Sequence, residues 1–235
     1  MQLFFNTDLV KDSTDITFSK EESRHIAKAL RKKNGDILCI TNGKGWLFEA
    51  VIISNDIKRC IAKINKAEYH KPKDYYLHLA VAPTKMNDRY EWFLEKATEI
   101  GIHEITPILC DNSERKILKK ERFEKIIQSA MKQSLQYHLP KLNDAISFKK
   151  FLDTNKDDLR FIAHCEDSER KSLKSQIKPK QKITVLIGPE GDFSTTEIKT
   201  ALDYNYSPVI LGHNRLRTET AAIVVSHCVA LANQL

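Results

Sequence analysis

The chain has 235 residues, 41% hydrophobic and 29% charged, with a formal net charge of +7. That is the profile of a globular protein with one large domain or two small ones. It excludes a membrane-spanning segment, since no run of about 18 apolar residues occurs.

The amino terminus, Met1 to Lys11, has neither a basic region nor a long apolar stretch, so no signal peptide is expected. Residues 1–70 read as short β-prone segments near Leu3–Phe5, Ile37–Thr41, Leu47–Ile53 and Cys60–Ile64. Turn signals separate them at Asn34-Gly35-Asp36, Asn42-Gly43-Lys44-Gly45 and Asn55-Asp56. The Asn42-Gly43 pair predicts a hairpin. One helix is expected from about Ser19 to Lys32, opened by a Ser19/Glu22 capping box. The natural reading is a small β-barrel-like module, residues 1–70.

His70-Lys71-Pro72-Lys73-Asp74 reads as a linker, and strand–helix alternation begins at residue 75. Strands are predicted over Tyr75–Ala82, Glu104–Leu109, Leu159–His164, Lys182–Ile187 and Val209–Leu211. The Lys182–Ile187 stretch lacks alternation, as a buried central strand should. Helices are predicted over Asp88–Ile100 with Gly101 as its stop, Lys120–Tyr137, Thr195–Asp203 with a Ser194/Glu197 capping box, and Thr218–Asn233. This alternation predicts an α/β domain, residues 75–235, with a mainly parallel sheet.

Charge is unevenly spread. Residues 1–73 hold 14 Lys/Arg against 9 Asp/Glu, or +5, and the other 162 hold 24 against 22, or +2. A basic module on a near-neutral body points to a polyanion such as RNA or DNA. A solvated lysine-rich surface accounts for the same imbalance. Arg24, Lys28, Arg31, Lys32 and Lys33 are the candidate RNA-backbone contacts, with pairing to a helix carboxyl end as the other explanation. The five cysteines, Cys39, Cys60, Cys110, Cys165 and Cys228, are odd in number and widely spaced. They predict free thiols in a reducing cytosol rather than disulfides or a zinc site. No metal cluster is visible.

Two of the seven glycines fall in Leu186-Ile187-Gly188-Pro189-Glu190-Gly191, between the predicted buried strand and a helix. Loops at the carboxyl ends of such strands are where α/β sheets place ligands. The segment is neither GxGxxG nor GxxxxGK[ST], which disfavours a dinucleotide or NTP site and a Rossmann oxidoreductase. A tight strand–helix turn would look the same. The second window is Leu211-Gly212-His213-Asn214-Arg215-Leu216-Arg217-Thr218-Glu219-Thr220-Ala221. Its arginines suit a carboxylate or phosphate. Alternatively, it is a helix start capped by Thr218 with Glu219 facing the dipole. His213 and His227 suggest chemistry by residue type alone, and His227 reads as a core residue of the last helix.

Together these windows resemble the signature of the RsmE family, bacterial enzymes of the SPOUT class of knotted methyltransferases that methylate N3 of a uridine in 16S ribosomal RNA. The resemblance extends along the chain. His25 to Leu30-Arg31 with Asn34-Gly35-Asp36 resembles the family's PUA-like amino-terminal domain. Glu91, Lys96 to Gly101 and Ile105-Thr106-Pro107 resemble one internal block, and Gln133-Ser134 with Pro140 another. The chain departs from the family pattern at Gln2-Leu3, at Gln136, and at His213-Asn214, where relatives often read Gly-Pro-Arg.

The resemblance implies a PUA-like domain followed by a SPOUT methyltransferase domain with a carboxy-terminal trefoil knot. It implies S-adenosylmethionine held by Leu186, Ile187, Gly188, Pro189, Glu190, Gly191, Leu211, Gly212, Leu216, Arg217 and Thr218. Arg217 and Glu219 become the catalytic candidates: Arg217 to pair with the cofactor carboxylate or a uracil anion, Glu219 to orient that arginine or accept a proton. A homodimer packed across the last helix (Ile223, Val224, Val225, Val229, Leu231) is expected, as are a 16S ribosomal RNA or assembled small-subunit substrate and a cytoplasmic location. Two other readings remain open at this point: methylation of a different atom, and a PUA-like RNA-binding protein whose second domain is only a scaffold.

Overall fold

The computed structural model describes residues 2–155, 159–166 and 169–234. The chain forms two compact units, Met1–Pro72 with Met131–Leu139, and Lys73–Ala130 with Pro140–Leu235. The stretch 131–139, beyond the expected linker, thus packs with the first unit.

The first unit is built on β1 (Leu3–Phe5), β2 (Asp15–Thr17), β3 (Ile37–Thr41), β4 (Trp46–Asn55) and β5 (Cys60–Tyr69) in the order β1-β3-β4-β5-β2. The β1–β3 pair is parallel and the others antiparallel. Edge strands β1 and β2 do not pair among the described residues, so the expected barrel is not a closed hydrogen-bonded ring. The hairpin at Asn42-Gly43 forms, joining β3 to β4 with Thr41 opposite Leu47. Alternate residues of β4 (Phe48, Ala50, Ile52) face a core that also holds Phe4, Phe18, Ile26 and Ile40.

The expected 19–32 helix is shorter. Ser19 caps α1 (Lys20–Arg24), accepting from the Glu22 amide at 3.2 Å. One π-helical turn, His25–Ala29, follows. The Ser23 hydroxyl explains why this helix sits where it does: it donates to the Phe18 carbonyl and accepts from the Cys60 amide, both across buried contacts. Arg31, in the left-handed region at φ 53°, ends the helix.

The second unit alternates β6 (Tyr76–Val81), α2 (Asn87–Ile100), β7 (Glu104–Leu109), α3 (Lys120–Gln133, assigned to this unit as far as Ala130), β8 (Lys141–Leu142), β9 (Ile146–Ser147), α4 (Phe148–Thr154), β10 (Leu159–Ala163), β11 (Lys171–Ser172), α5 (Leu173–Gln176), β12 (Lys182–Ile187), α6 (Thr195–Asp203), β13 (Ser207–Ile210) and α7 (Thr218–Ala232). The sheet is parallel, in the order β11-β13-β10-β12-β6-β7-β8, with β9 also on β7. This is a mixed α/β fold. In β12 every residue after Lys182 is buried, which is why it reads as an unbroken apolar run. Gly101 ends α2 at φ 110°, a conformation glycine adopts without strain.

The predicted helix to Tyr137 stops at Gln133. Leu135 takes φ 55° and the Gln136 amide reaches back to the Met131 carbonyl, the bond pattern of a left-handed helix cap without glycine. Helix α6 carries both halves of its capping box. Helix α7 is capped differently from expectation: Arg217 is the N-cap, and Thr218 already lies within the helix. No helix among the described residues is long and apolar enough to cross a membrane.

Candidate functional site

A cleft of about 910 Å³ opens at the carboxyl ends of β10, β12 and β13. Its walls include Ile187 to Phe193 and Leu211 to Thr218, so the structure brings the two windows together although a helix and a strand separate them. They are joined directly: the buried Thr218 hydroxyl donates to the Gly188 carbonyl at 2.9 Å. The β12–β13 crossover places β13 on the far side of β10, and the chain then returns to α7, which packs on α2, β6 and β12.

Of the residues read as cofactor contacts, Ile187, Gly188, Pro189, Glu190, Gly191, Leu211, Gly212, Leu216, Arg217 and Thr218 line the cleft. Leu186 does not, because strand alternation turns it into the core with Phe193 and Ile198. Arg217 lines the cleft and is exposed, as is Arg215, and neither forms an ion pair among the described residues. Glu219 does not line the cleft. It is buried in the first turn of α7 without an ion pair to Arg217, and its Oε2 has no hydrogen-bond partner among the described residues. His213 lines the cleft, whereas His227 is exposed rather than in the core.

The Gly-Pro-Glu-Gly loop is held from outside by residues the sequence reading assigned no role. Asn112 Nδ2 donates to the carbonyls of Gly191 at 3.1 Å and Asp192 at 3.0 Å. The Lys85 amide donates to Glu190 Oε1 at 3.0 Å, while Arg115 donates to the Lys85 carbonyl through Nε and Nη2. Asp111 accepts from the Ser194 hydroxyl at 2.6 Å, and its amide donates to Glu197 at 3.0 Å. Asp192, at φ 62°, accepts from the Cys165 and Phe193 amides. No periodicity marks such braces, because all but the Asp192–Phe193 bond join segments far apart in sequence.

Asn112 is itself exposed, so its removal should cost little stability. Asn112→Ala is expected to weaken S-adenosylhomocysteine binding roughly tenfold, the worth of one or two lost hydrogen bonds, with the melting midpoint nearly unchanged. Calorimetric titration beside a thermal melt checks this. Unchanged affinity would mean that Glu190 and Asp192 position the loop alone.

Burial is the first cause raising the pKa of Cys39, Cys60, Cys110, Cys165 and Cys228, and all five are free thiols. None is poised as a thiolate nucleophile. No group of three or more metal-ligating side chains occurs among the described residues. In the first unit, Arg24, Lys28, Arg31 and Lys33 are exposed and Lys32 half-buried, with no ion pair among the described residues. Their charge is available to a polyanion.

The residues present fit S-adenosylmethionine. The volume lies within the range of roughly 300–1,000 Å³ usual for small-ligand sites. A Cβ at Gly188 would come within 3.1 Å of the Phe193 ring, while Gly212 faces open space, so the walls are partly bare backbone. Ile187, Val209 and Ala221 offer apolar surface, and Arg215 and Arg217 offer charge for a carboxylate.

The profile of the RNA methyltransferase domain matches residues 71–230, and that of the RNA methyltransferase PUA domain matches residues 18–65. The class defined by fold and cleft is therefore that of a two-domain RNA methyltransferase with an amino-terminal PUA-like domain. A Buchnera aphidicola protein, ribosomal RNA small subunit methyltransferase E, is 31% identical over 95% of this chain and 90% of its own. A Porphyromonas gingivalis structure described as an rRNA-methyltransferase is 38% identical, covering 100% of this chain and 99% of its own, with a TM-score of 0.92. A Legionella pneumophila methyltransferase structure with bound S-adenosylmethionine is 27% identical, covering 98% and 97%, with a TM-score of 0.88. The chain belongs to the ribosomal RNA small subunit methyltransferase E family.

Proposed function

We propose that this protein transfers the methyl group of S-adenosylmethionine to N3 of one uridine in 16S ribosomal RNA of the small ribosomal subunit. The observation that carries the reading is the single cleft built from both signature loops and tied by the Thr218–Gly188 bond. The ribosomal substrate rests on the relatives' names, and N3 of uridine on the resemblance of the signature loops.

The bound cofactor supplies an electrophilic methyl group. The chain's part is to hold cofactor and base in line, which lowers the barrier largely through lost motional freedom. Uracil N3 lies inside a base pair, so the target base must be unpaired or flipped. The transfer balances with the N3 proton passing to solvent and the methyl group passing to N3, so the cofactor would leave the cleft as S-adenosylhomocysteine. Arg217, exposed at the cleft, is the group suited to stabilise a uracil anion or hold the cofactor carboxylate. Glu219, buried in the first turn of α7, suits the positive end of that helix better than proton transfer at the cleft.

Residues 1–70 act in this reading as the RNA-holding PUA-like domain, through Arg24, Lys28, Arg31, Lys32 and Lys33, and residues 75–235 as the SPOUT domain. The return of the chain from β13 past β10 and β12 to α7 supports a carboxy-terminal trefoil knot. A homodimer across α7 is supported by half-exposed Ile223 and Val224 and by exposed Leu231 and Trp92, whereas Val225 and Val229 are already covered within the chain. A ribosomal substrate supports a cytoplasmic location.

The test is methylation of small subunits and of free 16S RNA lacking the modification, with mass-spectrometric mapping. One N3-methyluridine is the expected product. Methyl transfer to a ribose hydroxyl or another base atom would overturn the atom assignment.

A further inference from the structure

The loop after β10 forms part of the cleft wall, and neither signature window contains it. In the parallel register Ala163 sits opposite Ile187 on one side and Val209 on the other. His164, the next residue, therefore emerges between Gly188 and Ile210, where the two signature loops begin. It lines the cleft and is 6% exposed. Neither Nδ1 nor Nε2 has a hydrogen-bond partner among the described residues.

A neutral imidazole carries one donor and one acceptor, and a buried polar atom left unpaired is costly. A histidine serving only the fold would have its ring nitrogens satisfied, and a metal-binding role lacks further ligands among the described residues. The surrounding charges are named readily. Arg170 donates through Nη1 to the His164 carbonyl, with its Nε also unpartnered. Asp192 and Glu166 lie on the acidic side. Burial, then the Arg170 charge, disfavours the protonated ring and lowers the pKa of His164. This corner of the cleft thus presents a neutral polar group beside a cation. A ligand hydroxyl, which can both donate and accept, complements either tautomer.

We propose that His164 is a cofactor-binding residue that hydrogen-bonds a hydroxyl of the nucleoside portion of S-adenosylmethionine from between the two signature loops. The inference rests on the cofactor reading above, and its test separates the two. The ring nitrogens of 15N-histidine-labelled wild-type protein are followed by NMR during titration with S-adenosylhomocysteine, and His164→Ala supplies the assignment. Calorimetry gives the affinities. The expected result is a saturable shift of the His164 ring signals and roughly tenfold weaker binding by His164→Ala. Partial recovery in His164→Asn and no loss of thermal stability in the ligand-free alanine variant are also expected. If the wild type binds while the His164 signals stay fixed and the alanine variant binds within about twofold, the role of His164 is overturned and the cofactor reading stands. If the wild type does not bind, both fall.

Discussion

Phe193→Ala should lower the melting midpoint by roughly 6–20 °C and remove measurable S-adenosylhomocysteine binding. Phe193 is 5% exposed and packs with Phe148, Leu186, Ile198, Ala201 and Tyr206, its ring centroid 5.4 Å from that of Phe148. Deleting a buried phenylalanine costs about 3–5 kcal/mol, and each kcal/mol moves the midpoint of a domain this size by roughly 2–4 °C. The functional loss has a separate cause. The Phe193 ring lies against Gly188, where a Cβ would stand 3.1 Å from Cδ2, so the ring supports the backbone that receives the Thr218 hydroxyl. Calorimetry and a thermal melt on the same preparation give both readouts. A shift below about 2 °C, less than 1 kcal/mol on that scale, would show that Asn112 and Lys85 hold the loop without the ring.

The second large effect concerns acid. The Glu104 carboxylate accepts from Tyr76 at 2.7 Å, Lys141 at 2.8 Å and Asn143 at 2.7 Å, with His78 Nδ1 at 3.8 Å. Burial acts to raise its pKa, yet the three hydrogen bonds prevail and bring it down to about 2 from 4.5. A depressed carboxylate stabilises the fold above its unfolded pKa and loses that contribution as pH falls towards the folded one. The window is therefore pH 4.5 down to 2. At 1.36 kcal/mol per pKa unit, discounted for partial solvent access, the loss is about 2–3 kcal/mol. Urea unfolding at pH 6 and pH 2.5 should show wild type losing more stability than Glu104→Gln by most of that amount. Equal losses would mean that the network does not hold the ionised form.

Legibility in the sequence followed the range of the forces involved. The β7, β12 and α6 boundaries were readable to the residue, and that of α2 to within one residue, because burial period, capping box and Gly101 all act within a few positions. Strands β2, β8, β9 and β11, of two or three residues each, carry too little pattern to see, and the short helices α4 and α5 escape notice with them. The first helix ended early because Arg31 takes a left-handed φ that a basic residue does not advertise. The two loops of the site were visible through glycine and polar density. Their braces at Asn112 and Lys85, and His164 between them, were not, because their contacts are non-local. Thr218 reads in the sequence as a cofactor contact or a helix cap, and the structure makes it a tie between the two loops, a bond that local pattern does not reveal.

The order of the parallel sheet also sets a timetable for its formation. Among the described residues β10 pairs only with β12 and β13, both made after it, and β12 lies between β6 and β10, with Tyr76 opposite Lys182. A nascent chain that has emerged only as far as β10 has no neighbour for that strand. β6 likewise keeps one edge unpaired until residues near 182 appear. Sheet closure must therefore wait until synthesis is nearly complete, and such long-range pairings form slowly. Until then the unpaired backbone edges of the apolar strands β6 and β10 are open to other chains, so protection of the growing polypeptide is expected to raise the yield of folded protein.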